Sequence, residues 1–106
     1  MDIYLINRAK TVNAHARYNV QDKTVTVCKG SVISERISGG TFRSANFVEK
    51  LRNANNIKEN IVIKDITFKS ASTAANFVTG SSTNGLLAWK DKDGNTLKSL
   101  IERKVV

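Results

Sequence analysis

His15 and Cys28 are the only residues of their types in this 106-residue chain, and a thiolate–imidazole pair is a nucleophilic arrangement. A hairpin closed across Gln21-Asp22 sets the two opposite one another. Both would then lie mid-strand with no third group to orient them, and a free Cys ordinarily behaves as a small hydrophobe. The pair reads as structural. One His and one Cys cannot make a zinc set. Asp91-Lys92-Asp93-Gly94 has part of a calcium-loop pattern, but Leu100 stands where the bidentate acid is needed, so a solvated turn is expected. There is no G-x-x-x-x-G-K-[ST] and no G-x-G-x-x-G, hence no nucleotide cradle. Paired acids in a plausible nuclease site are also missing. The expectation is a non-catalytic chain without cofactor or metal.

A second constellation is polar and uncharged. Between Ser70 and Gly85 no residue is charged, in a chain that is 25% charged. Seven of those sixteen positions are Ser or Thr and two are Asn. Ser70 or Ser72 can cap a helix start. Ala71, Ala74, Ala75 and Val78 recur at helical spacing as one narrow apolar stripe, and Gly80 stands where a left-handed residue would end the helix. A start at Ser70-Ala71-Ser72-Thr73 offers free N–H groups, hydroxyls and a positive dipole end with no acid in the first turn, and Lys69 precedes it. Such a terminus can hold a phosphate; the bland alternative is a well-capped core helix. Ser82, Thr83 and Asn84 follow. Asn84 either faces a base or forms, with Gly85, a type I′ turn with Gly85 at positive φ. Trp89 pairs with Leu87 as inward-facing residues of a strand, core packing being favoured over base stacking. Lys90 and Lys92 flank the next turn, as solvated charges or as phosphate contacts.

Other elements must position this motif. Ile3 and Leu5 alternate with Tyr4 and Ile6, which suits a strand. Residues 12–20 place Ala14, Ala16 and Tyr18 on one face and Asn13, His15 and Arg17 on the other. Thr24–Lys29 is the return strand after a Val20–Lys23 connection. The small Ala14 and Ala16 side chains leave room for something bulky, such as a helix. Lys29-Gly30-Ser31 breaks the strand, and a helical turn is expected at Val32–Ile37. A helix follows from Ser44, with Phe47, Val48, Leu51 and Ala54 inward and Asn53, Asn55 and Asn56 near its end. Ile61–Ile63 and Ile66–Phe68 are β-prone. Thr96 caps a last helix whose apolar side is Leu97, Leu100 and Ile101. The core is expected to include Val25, Val27, Val48, Leu51, Phe68, Ala75, Val78, Leu87 and Trp89. Together these elements make one α+β domain spanning residues 1–106, with antiparallel β-hairpins packed against two or three helices.

The pattern Phe68-x-Ser70-x-Ser72-x-Ala74-Ala75-x-x-Val78-x-Gly80-x-Ser82-x-Asn84-Gly85, followed by Trp89-Lys90, resembles a domain family of unknown function. That family is typically found beside GIY-YIG endonuclease and restriction–modification modules. It is similar to the RAMA (restriction enzyme adenine methylase-associated) domain, a predicted reader of DNA. The resemblance extends more weakly upstream to Val27-Cys28-Lys29-Gly30-Ser31. It implies DNA as a partner, with a nuclease or methylase subunit as a second. The family often has Pro at the position of Ala71, Arg at that of Ser81 and an aromatic residue near Leu86. Without that Arg, this chain lacks one plausible phosphate contact.

Composition narrows the function classes. The net charge is +8, spread over both halves: nine basic and four acidic residues in 1–53, eight and five in 54–106. Such a balance favours polyanions. No apolar run approaches the roughly 18 residues of a membrane span, the N-terminus lacks a secretion-signal pattern, and a lone Cys suits a reducing cytoplasm. The expected function is a non-catalytic DNA-binding module with contacts from Lys69, Ser70, Ser72, Thr73, Ser82, Thr83, Asn84, Lys90 and Lys92. The alternative is a protein-interaction or structural domain, with a Cys28/His15 enzyme behind both.

Overall fold

Alternating side chains build the first layer. In the computed structural model, which describes residues 1–8, 10–35, 50–52 and 55–104, β1 (Asp2–Ile6), β2 (Asn13–Tyr18), β3 (Val25–Val27) and β6 (Ile66–Phe68) form one antiparallel sheet in the order β1-β2-β3-β6. Ile3, Leu5, Ala14, Ala16, Tyr18, Val25, Val27 and Phe68 all face one side and are buried. Arg17 pairs with Thr26 and Tyr18 with Val25, the register expected for a hairpin closed across Gln21-Asp22. That hairpin does without Asn-Gly because polar side chains hold its loop. Asn19 Oδ1 accepts from the Gln21 N–H, Asp22 Oδ1 accepts from Thr24, and Lys23 takes the positive φ of 60°.

Beyond β3 the chain stays extended, and the helical turn expected from Val32 does not form over its described part. The Cys28 N–H still bonds the His15 carbonyl, and Val32 bridges both Asn13 and Ile61. Between Cys28 and Val32 the Ser31 N–H closes a turn on the Cys28 carbonyl, with Gly30 at φ 94°. Ser31 Oγ takes the place of the missing ladder partner, donating to the His15 carbonyl and accepting from its N–H. Residues 36–40, and the start at Ser44 of the expected helix with Phe47 and Val48, lie outside the described residues; 50–52 are helical. A hairpin of β4 (Ile57–Lys58) and β5 (Ile61–Val62) follows. Its two turn residues, Glu59 and Asn60, have φ of 52° and 65°, the sign at both positions that a type I′ turn needs.

Helix α1 (Ala71–Thr79) runs as expected, with Ser70 as N-cap and Gly80, at φ 71°, as C-cap. Ala71, Ala74, Ala75, Phe77 and Val78 are buried, and α1 packs on β3 and β6. The Phe68 and Phe77 rings meet at 5.2 Å. Ala14, Ala16, Phe77 and Trp89 share this one core. Ala75 is wholly enclosed, so Ala75→Leu is expected to overpack it and cost about 1–3 kcal/mol in a thermal or urea melt. An unchanged midpoint would contradict this packing.

The strand expected at Leu86–Trp89 is instead a short helix, α2 (Gly85–Ala88). Asn84 is its N-cap, accepting from the Leu86 N–H, so Asn84-Gly85 starts a helix and makes no hairpin turn. Gly85 is helical, and the positive φ expected of it is absent. Trp89 is fully buried as expected, but Leu87 is half exposed and does not join the core. A four-residue apolar run does not choose between helix and strand by periodicity; here the Asn cap decides. The Asp91–Gly94 turn is held by Asp91 Oδ1, which accepts from Asp93 and Asn95. Helix α3 (Leu97–Glu102) is capped by Thr96, with Leu97 and Leu100 buried; Ile101 stays exposed at its edge. Leu51 is only partly buried. Among the described residues no helix is long and apolar enough to cross a membrane. The radius of gyration, 12.7 Å, is that of one packed domain of about 100 residues.

Candidate nucleic-acid interface

The end of β6, the first turns of α1 and the chain leading into α2 enclose an open groove of about 1100 Å³. Seven of the nine residues singled out in the sequence line it: Lys69, Ser70, Ser72 and Thr73 from the helix start, and Ser82, Thr83 and Asn84 from the far bank. They converge because the two banks are bolted together. Ser72 Oγ accepts from the Gly85 N–H at 3.0 Å, and Asn76 Oδ1 accepts from the Thr83 N–H at 2.8 Å. Trp89 Nε1 donates to the Ala71 carbonyl at 3.0 Å from the other side. Asn76, also in the lining, is one of two polar residues buried among the described ones.

Most of the hydroxyls have internal work. Ser70 Oγ accepts from the Thr73 N–H and donates to Thr73 Oγ1. Thr79 Oγ1 reaches the Ala75 carbonyl, the Ser81 carbonyl and Thr83 Oγ1. Asn84 Oδ1 is the cap of α2. Lys69 and Ser82 are exposed. The first turn of α1 has no acid, so its positive end is uncompensated, and the groove lining adds one cation and no carboxylate.

Lys90 and Lys92 do not belong to this groove. The Lys90 backbone pairs with Tyr4 at the edge of β1. Lys92 lines a separate depression with Asp2, Asp91 and Asp93, where three carboxylates surround it. Trp89, enclosed in the core, offers no face for stacking.

The His15 and Cys28 backbones do meet, while their side chains have other partners. His15 Nε2 lies 2.9 Å from Asp2 Oδ1, and its ring stacks on Tyr4 with centroids 5.0 Å apart. The His15 contact holds the Asp2 carboxyl below its ordinary value. Cys28 Sγ points toward the Thr26 carbonyl at 3.8 Å, and burial pushes its thiol up, away from the thiolate. Among the described residues no His, Cys, Asp and Glu side chains group into a metal site.

Arg52 is the residue that sequence reasoning passed over. Its Nε and Nη2 donate to the Phe77 carbonyl at 3.0 and 2.7 Å. Nη1 donates to the Ser34 carbonyl at 2.8 Å, and Nη2 to Ser34 Oγ at 2.9 Å. The guanidinium also lies 5.9 Å from the Phe77 ring centroid. Burial lowers its pKa to about 10, which leaves it charged at neutral pH. It therefore ties the C-terminal carbonyls of α1 to the chain at Ser34, fixing the helix whose other end forms the groove. Nothing around a single Arg in a helical stretch marks it as half-buried; the one available signal is its place beside Leu51 in the expected apolar face.

No curated protein and no solved structure matches the chain. A family of domains does, over residues 6–101, a span that begins at the last residue of β1 and takes in β2 to β6, the groove, α1, α2 and all but the last residue of α3. The chain belongs to the family described as domain of unknown function DUF4357.

Proposed function

We propose that this chain is a non-catalytic nucleic-acid-binding module that acts on DNA in the cytoplasm, in the service of a restriction–modification or nuclease system. The resemblance to RAMA domains and the GIY-YIG context of the motif supply that setting. The observation that carries the reading is the groove itself. Lys69, an acid-free helix start and a bank of small polar residues line one concavity with no carboxylate, on a chain of net charge +8. A phosphate backbone fits that chemistry, since exposed N–H groups, hydroxyls and Lys are its ordinary contacts. Lys90 and Lys92 fall outside this surface, so the proposed contacts narrow to Lys69, Ser70, Ser72, Thr73, Ser82, Thr83 and Asn84.

A protein-interaction or structural domain is the second reading, favoured by the internal bonds of Ser70, Ser72, Thr83 and Asn84. Two substitutions separate the readings. Lys69→Gln leaves folding intact, because an exposed charge contributes little to stability. On the nucleic-acid reading it weakens binding to every sequence alike and reduces the salt slope by about 1. Asn84→Ala removes the α2 cap and costs about 1 kcal/mol of stability on either reading. Only a base-reading Asn84 adds a loss of about 1–3 kcal/mol confined to a preferred sequence. Fluorescence anisotropy at two salt concentrations reads both; identical binding by Lys69→Gln and the parent chain would favour the structural reading.

A further inference from the structure

A second depression adjoins the groove, and its chemistry deepens the nucleic-acid reading on which it rests. Tyr18 from β2, Ala71 from α1, Leu86 from α2 and Ile101 from α3 surround a volume of about 430 Å³, within the roughly 300–1,000 Å³ of small-ligand pockets. Leu86 and Ile101 are 39% and 37% exposed, whereas Leu97 and Leu100 on the same α3 are covered. Apolar surface is thus left open at the meeting of four elements. Lys23 and Lys69 line this depression, and it has no carboxylate either. Lys69, Ser70 and Ser72 line both compartments, so polar groove and apolar depression meet along one cationic seam.

We propose that the depression takes one unpaired nucleobase of a DNA strand whose backbone follows the groove. A nucleotide joins a flat base with apolar faces to an anionic phosphate, the same two chemistries that meet at Lys69. A simple anion would leave the Leu86 and Ile101 walls unused, and a neutral apolar ligand would leave Lys23 and Lys69 without countercharge. A base held in an intact duplex cannot enter, because its faces are stacked and its edge is paired. The module therefore prefers a strand with an unpaired nucleotide over a perfect duplex.

The test uses the full chain and three labelled probes of one sequence at one low salt concentration: an intact duplex, the duplex with a single bulged nucleotide, and that bulge made abasic. The bulged probe is expected to bind about tenfold more tightly than the intact duplex, in line with the contribution of one buried base, and the abasic probe to fall back to the intact value. Leu86→Gln and, on a different helix, Ile101→Gln both alter exposed side chains. Each is expected to remove the bulge preference while leaving intact-duplex binding in place. Equal binding of all three probes would overturn the base pocket and leave nucleic-acid binding standing. Equal, enhanced binding of bulged and abasic probes would also overturn it, since flexibility alone would then be read. No binding of any probe would overturn both readings together.

Discussion

Gly85→Ala is expected to destabilise the domain by more than about 4 kcal/mol. A Cβ at this position would sit 2.2 Å from the Ala71 carbonyl carbon, 2.3 Å from its oxygen and 2.4 Å from the Ser72 nitrogen. All three are backbone atoms, so no side-chain rotation can relieve the clash. Helices α1 and α2 would have to separate, breaking the bond from the Gly85 N–H to Ser72 and the bond from Trp89 to the Ala71 carbonyl. Overpacking a core ordinarily costs about 1–3 kcal/mol; a backbone-to-backbone clash with two bonds lost is expected to exceed about 4 kcal/mol, the range reserved for such sites. Gly94→Ala is the control. Gly94 has φ 86° and open space around it, so the cost there is the left-handed backbone alone, about 1–2 kcal/mol. Circular dichroism melts of the two variants check the ordering. Gly94→Ala proving the more damaging would contradict the helix contact described above.

Arg52→Leu is expected to be the other severe substitution. It removes the charged donors of the Phe77 and Ser34 carbonyls, and bonds to charged groups are worth about 1.5–3 kcal/mol each, non-additively. A net loss of about 3 kcal/mol is expected. Arg52→Lys keeps the charge but lacks the planar fork that reaches two segments at once, so it should recover less than half of that loss. A melting midpoint within error of the parent for Arg52→Leu would show the clamp to be idle. Because the clamp fixes α1 from its far end, partial destabilisation should also weaken any ligand at the groove, and binding should therefore be measured well below the variant's midpoint.

Much of the fold was legible in the chain. Alternation placed Ile3, Leu5, Ala14, Ala16 and Tyr18 inward, because a half-buried strand has a period of two. Caps marked α1 and α3, since Ser70, Thr96 and Gly80 satisfy groups that a helix end leaves open. The uncharged run of small polar residues stands out too, but the folding together of its two ends into a groove does not show in their spacing. What escaped had non-local causes. Asn84-Gly85 has the composition of a hairpin turn, yet its Gly is required by the backbone of α1, which passes within van der Waals reach. The type I′ geometry instead fell at Glu59-Asn60, where no sequence preference marks the first residue. Ser31 replaces a ladder partner across the sheet, and Arg52 crosses to a helix end. Each depends on a tertiary neighbour that spacing along the chain does not reveal. Nearness in sequence to the motif groups Lys90 and Lys92 with Lys69, but the bridge from Lys90 to Tyr4 holds that turn at the edge of β1, away from the groove.

A groove that binds phosphate must bind it less well as salt rises, so the decisive titration sets salt against the affinity of the unmodified chain for duplex DNA. Each neutralised phosphate contributes about −0.9 to the slope of log K against log salt. With Lys69 engaged, measurable binding at low salt and a slope of about −1 are predicted. No measurable affinity for any DNA at low salt, or an affinity indifferent to salt, would contradict the phosphate-binding groove.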